Sequence, residues 1–158
     1  MQIIKTSFSF IAIILLAAGC SKDSGEDIDT EYPVINMEAP NAFPGQCSTV
    51  KRGETFVFSA ELSDNRELGS VGIDIHHNFD HHTHSTETEN CGLDPVKTPV
   101  KPYVLIQTDP LPAGLKSYSI QQQITIPADI DPGDYHFMVR LTDKEGWQTI
   151  KRLSIKIN

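Results

Sequence analysis

Beyond Tyr32 the chain shows no apolar stripe at helical spacing; its apolar residues recur at every second position, in runs broken by turn-forming clusters. A period of two sends successive side chains to opposite faces of a pleated strand, so a chain patterned this way must bury its apolar surface between sheets. Pro33 to Glu38 reads as a first strand. Lys51-Arg52-Gly53-Glu54 is a turn into Thr55 to Leu62, with Phe56, Phe58, Ala60 and Leu62 on the inner face. Ser63-Asp64-Asn65-Arg66-Glu67 is a polar turn. Leu68 to Phe79 follows, with Val71, Ile73 and Ile75 pointing one way. Tyr103 to Thr108 is a strand, and Ser117 to Ile126 another, in which Tyr118, Ile120, Ile124 and Ile126 share a side that Gln122 interrupts. Tyr135, Phe137, Val139 and Leu141 point inward on the next strand. Thr142 to Gly146 is a turn, and Leu153, Ile155 and Ile157 face inward on the last strand. Residues 80–102 fit no strand and form a long polar insertion, where function tends to sit.

Asp131-Pro132-Gly133-Asp134-Tyr135 resembles the tyrosine corner of immunoglobulin-like sandwiches, in which an aromatic at the start of a strand bonds back to the preceding loop. About seven short strands, no helices and this late corner predict an all-β, immunoglobulin-like β-sandwich over residues 32–158.

The N-terminus carries a different signal. Lys5 is the only charge in the first 19 residues, and Phe8 to Ala18 is apolar apart from Ser9. This is a signal peptide by pattern, and it falls short of the roughly 20 apolar residues of a membrane-spanning helix. Its end, Leu16-Ala17-Ala18-Gly19-Cys20, resembles the bacterial lipobox, which implies cleavage after residue 19 and lipidation of Cys20. An ordinary signal peptide with a chance cysteine is the competing reading. Residues 20–31 are acidic and nearly devoid of apolar side chains, so they read as a solvated tether. Their start resembles the acidic signal that sends Bacteroidota lipoproteins to the outer face of the outer membrane, so cell-surface display is favoured over the periplasmic face.

With Cys20 given to the lipid, Cys47 and Cys91 remain as a pair in an oxidising setting and are read as a disulfide. The rival role is a thiolate metal ligand, since Cys91 lies near the histidines. The formal charge of −8 becomes more negative once Lys5 is removed, and no basic patch interleaves with aromatics, so nucleic acid is excluded as an expected partner.

Five of the six histidines fall between positions 76 and 84, in His76-His77-Asn78-Phe79-Asp80-His81-His82-Thr83-His84. Neutral imidazole is a common ligand for zinc and copper. The sixth, His136, is informative. If Ile75 and Phe137 point into the core, His76 and His136 point out, and in an immunoglobulin-like sandwich their strands are antiparallel neighbours. The expected centre is His76 and His136 with two of His77, His81, His82 and His84; His77 is the weaker member because alternation turns it inward. Asp74 and Asp80 are candidates to orient the rings or add an oxygen ligand. Met138, on the same face, would favour copper(I). The competing readings are a polar loop that takes up metal adventitiously and a pH-sensitive surface. A second group, Asp64-Asn65 with Asp143, falls at the opposite end of the sandwich and has the oxygen chemistry of a calcium site, although such residues ordinarily start turns.

No nucleophile elbow, helix-borne zinc-protease motif or phosphate loop is present, so no catalytic residues are assigned. A metal-dependent hydrolase would need a base such as Glu87 or Glu89, and nothing in the spacing demands one. The run Ser63-Asp64-Asn65 followed by Ile73 to His84 resembles lipoproteins grouped as domain of unknown function 4625, over about Tyr32 to Asn158. That resemblance implies an immunoglobulin-like domain on a Bacteroidota lipoprotein and no established activity. The expected function is capture or delivery of zinc or copper, with a membrane anchor at Cys20 and an outer-membrane transporter or surface protein as partner. The alternative is an adhesion or accessory module for a protein or glycan without a specific metal role.

Overall fold

The alternation closes into two facing sheets. The computed structural model describes residues 28–82 and 91–158; the segment read as a signal peptide, Cys20, most of the segment read as a tether, His84, Glu87 and Glu89 lie outside the described residues. Eight strands are formed: β1 (Val34–Asn36), β2 (Thr49–Val50), β3 (Thr55–Ser63), β4 (Leu68–His77), β5 (Leu105–Pro110), β6 (Ser117–Thr125), β7 (Gly133–Asp143) and β8 (Gln148–Ile157). One sheet runs β1-β3-β6 and the other β2-β8-β7-β4-β5. Every pairing is antiparallel except the short parallel contact of β2 with β8. This is the immunoglobulin-like sandwich that the strand spacing predicts.

The core sits between the sheets and is built from the expected alternate positions. Phe58, Ala60 and Leu62 from β3, Val71, Ile73 and Ile75 from β4, Ile120 and Ile124 from β6, and Tyr135, Phe137, Val139 and Leu141 from β7 are all buried. Phe58 meets Phe137 across the interface, ring centroids 5.5 Å apart. The tyrosine corner is formed: the Tyr135 hydroxyl donates to the Asp131 carbonyl at 2.6 Å and accepts the Tyr103 N–H at 3.2 Å. Burial pushes the Tyr135 phenol above its ordinary pKa, which keeps this donor protonated.

Three expectations shift. β2 is too short for alternation to reveal, which makes eight strands rather than about seven. β5 begins at Leu105 instead of Tyr103, because the corner claims the Tyr103 N–H and the ladder then starts at the pair Ile75–Leu105. The folded domain begins ahead of Tyr32. Asp29, placed by composition in the tether, is buried; it accepts the Asn65 side-chain amide, and its carbonyl accepts the Trp147 indole N–H.

The part of the insertion that follows Cys91 has no strand but is pinned throughout. Cys91 is bonded to Cys47. The Asp94 N–H donates to Asp134, the Lys97 N–H to the Phe79 carbonyl, and the Val100 and Lys101 N–H groups converge on one oxygen of Asp131. Opening the 44-residue separation between Cys47 and Cys91 by a double Cys→Ser substitution is expected to cost about 3–4 kcal/mol of unfolding free energy, measured by urea denaturation.

The two N–H groups of Val100 and Lys101 hold the Asp131 carboxyl below its ordinary pKa. A depressed carboxyl stabilises the fold fully above the unfolded value near about 4 and loses that contribution as pH falls through the lower folded value. The urea midpoint should therefore fall on acidification below about pH 4, and Asp131→Asn should flatten part of that fall. An unchanged profile in Asp131→Asn would remove this carboxyl from the acid response.

Candidate metal centre

On the outer face of the five-stranded sheet, β4 and β7 pair in a register that sets His76 directly opposite His136. This pairing follows from Ile75 and Phe137 both facing the core. The outer face, however, is roofed at this point, and His136 is fully buried. The roof is the chain just beyond β4. Its path is dictated by Phe79, which drops into the core edge and packs edge-on against Tyr135 at 5.3 Å. Gly133 makes the room for this: a Cβ at that position would stand 3.2 Å from the Phe79 ring. The Lys97 ammonium lies over the same ring, 4.2 Å from its centre.

From Phe79 the chain reverses. The His81 N–H returns to the Asn78 carbonyl, and His81 adopts a left-handed backbone conformation, φ 57°, one that histidine enters more readily than bulkier residues. The reversal lays His82 back over the sheet. His76 and His82 stack with centroids 5.6 Å apart and planes within 14°, while His136 lies 5.3 Å from His76 and 4.9 Å from His82. One ring nitrogen from each of the three falls within 4.8 Å of the others.

Two carboxylates orient the rings. Asp74 Oδ1 lies 2.7 Å from His76 Nδ1, and Asp80 Oδ1 lies 2.6 Å from His82 Nδ1. A carboxylate at one ring nitrogen fixes the orientation of the imidazole, the arrangement in which metal-bound histidines are commonly held. The His82 imidazole in turn holds the Asp80 carboxyl below its ordinary range. His136 directs Nε2 to the His82 carbonyl at 3.2 Å, which ties the buried ring to the loop above it. Three converging imidazoles are the donor set that suits zinc or copper(II).

The structure thus unites His76, His82 and His136 and sets Asp74 and Asp80 behind them. His77 is outside this trio of nitrogens: it pairs with Tyr135, and its ring packs on Phe79 at 4.9 Å and lies 6.4 Å from the His82 ring, centre to centre. His81 is turned away, with its Nε2 on the Asp94 carbonyl at 2.8 Å, so it serves the loop. Met138 is one pair further along the face, opposite Asp74. Cys91 is committed to the disulfide, which removes it as a thiolate ligand. What sequence reasoning missed is the repeated Asp-x-His unit, Asp74-Ile75-His76 and Asp80-His81-His82, which separates His82 from its neighbours.

A family model for a domain of unknown function, numbered 4625, matches residues 19–158. No curated protein matches the chain.

The seating of Phe79 is the feature that carries His82 to His136. Phe79→Ala is expected to lower stability by about 3–4 kcal/mol and to abolish nuclear Overhauser contacts between the His82 and His136 rings. Retention of those contacts would show that the reversal at Asn78 to His81 forms without the aromatic anchor.

Proposed function

We propose that this chain, which belongs to the domain of unknown function 4625 family, is an outer-membrane lipoprotein that binds one zinc or copper(II) ion through His76, His82 and His136. The observation that carries the reading is the convergence of three imidazoles from a strand, a loop and a neighbouring strand, with one nitrogen each inside 4.8 Å and a carboxylate behind two of the rings. A chance surplus of histidines on a loop does not recruit a buried histidine from 54 residues away.

The exposure of the three rings favours capture and transfer. His136 is the buried floor, whereas the His76 and His82 side chains are 23% and 36% exposed. Structural zinc sites close with four protein ligands; a three-ligand site reached from solvent keeps a position at which a ligand can exchange. An ion held this way can be passed on to a transporter or surface partner. The lipid anchor at Cys20 and display at the cell surface belong to the same proposal and rest on the signal-peptide pattern and the acidic residues after it. No catalytic step is assigned.

Calorimetric titration of the full chain in detergent with zinc and with copper(II) tests the site. The expected result is one ion per chain with submicromolar affinity. His136→Ala should abolish it, and His81→Ala should leave it intact. Asp74→Asn should weaken it about 10–100-fold by releasing the His76 ring. Weak uptake of several ions that ignores His136→Ala would overturn the proposal and leave an adhesion or accessory module as the reading.

A further inference from the structure

The opposite pole of the sandwich holds a second group of charged side chains. Asp29, Asp143 and Glu145 each offer a carboxylate oxygen, and these lie within 4.8 Å of one another. Asp143 ends β7, and Glu145 lies in the turn to β8. Asp29 comes from the segment ahead of β1, 114 positions earlier than Asp143 (143 − 29).

Turn formation accounts for half of this chemistry. Asp143 Oδ1 accepts the N–H groups of Gly146 and Trp147 at 2.6 and 2.7 Å, an ordinary aspartate turn. Asp29 Oδ1 likewise accepts the Glu31 N–H and the Asn65 side-chain amide, at 3.0 and 2.8 Å. The other half is unaccounted for. Both carboxylates are only 3% exposed, and the Oδ2 atom of each is buried without a hydrogen bond among the described residues. Buried carboxylate oxygens cost free energy unless a proton, a donor or a cation meets them.

The nearby cations cover one charge. Arg66 Nε is 3.9 Å from Asp29 Oδ2, too far for a hydrogen bond. The Lys144 ammonium lies 3.8 Å from Glu67, and the Lys116 ammonium donates to the Asn65 carbonyl. Among the described residues, the guanidinium of Arg66 is the cation recorded against these three carboxylates.

We propose that Asp29, Asp143 and Glu145 form a calcium site. The donors are all oxygen, which excludes the nitrogen-seeking ions of the histidine centre. One comes from an exposed, adjustable glutamate, which suits the loose geometry of calcium better than the strict octahedron of magnesium. Three protein carboxylates with water completing the shell correspond to an affinity of about 10⁻⁴ to 10⁻³ M, the range of extracellular modules. The ion fastens the first residues of the domain to the β7–β8 turn. Trp147 reinforces the same junction through its bond to the Asp29 carbonyl and its edge contact with Tyr32 at 4.9 Å.

Trp147 is the single tryptophan of the chain and lies against the site, so it can sensitise terbium luminescence there. Terbium added to the full chain should emit on excitation of the indole. Millimolar calcium should quench that emission by displacement, and the same concentration of magnesium should leave most of it. Glu145→Gln, at an exposed position that leaves the fold intact, should weaken calcium at least about tenfold; Asp29→Asn should abolish binding. His76→Ala should change nothing, which separates this site from the zinc or copper centre. Absence of sensitised emission, or calcium displacement identical in Glu145→Gln, would overturn the proposal.

Discussion

The antiparallel register between β4 and β7 decides what meets on both sides of the larger sheet. Ile73 faces Val139 and Ile75 faces Phe137 in the core, and the same pairing sets Asp74 against Met138 and His76 against His136 outside it. A slip of one residue would drive His76 toward the core and expel Ile75. Four buried apolar side chains therefore hold the imidazole pair in place, and the hydrophobic contact between the sheets is the origin of the site's geometry. The site adds a second requirement, a roof, and the core supplies that as well through Phe79.

Alternation made the strands, the inner faces and the His76–His136 pair readable from sequence, because a period of two is a local property that survives folding. The tyrosine corner was readable for the same reason: the residues from Asp131 to Tyr135 are contiguous. The choice of His82 over His81 and His77 was not, because it depends on a chain reversal whose anchor, Phe79, packs on Tyr135 and needs the space beside Gly133, both more than 50 residues away. Asp29 was misread for a related reason. Composition places it in a solvated segment, and only the partners Asn65 and Trp147, brought in by the fold, account for its burial.

The two polar clusters lie at opposite ends of β4 and β7, and they differ in kind. At the end near His77, nitrogen donors are backed by carboxylates that set ring orientation. At the end near Leu68, carboxylates each commit one oxygen to the backbone of a turn and keep the other back. The separation follows from topology: the paired strands carry imidazoles out at one end, while the turns at the other collect the aspartates that turns require.

His136 also determines how an ion would act on the folding equilibrium. A ligand stabilises a protein only to the extent that it prefers the folded chain to the unfolded one. Here five of the six histidines lie within nine consecutive positions, so a denatured chain keeps most of its imidazoles within reach of a single ion. That residual chelation offsets part of the stabilisation. The donor the denatured chain cannot bring near is His136, which joins the others only when the whole sandwich is assembled. The difference between tight binding and strong stabilisation would then be concentrated in one side chain, and a thermal shift produced by a bound ion would measure the contribution of His136 rather than the affinity of the histidine-rich run as a whole.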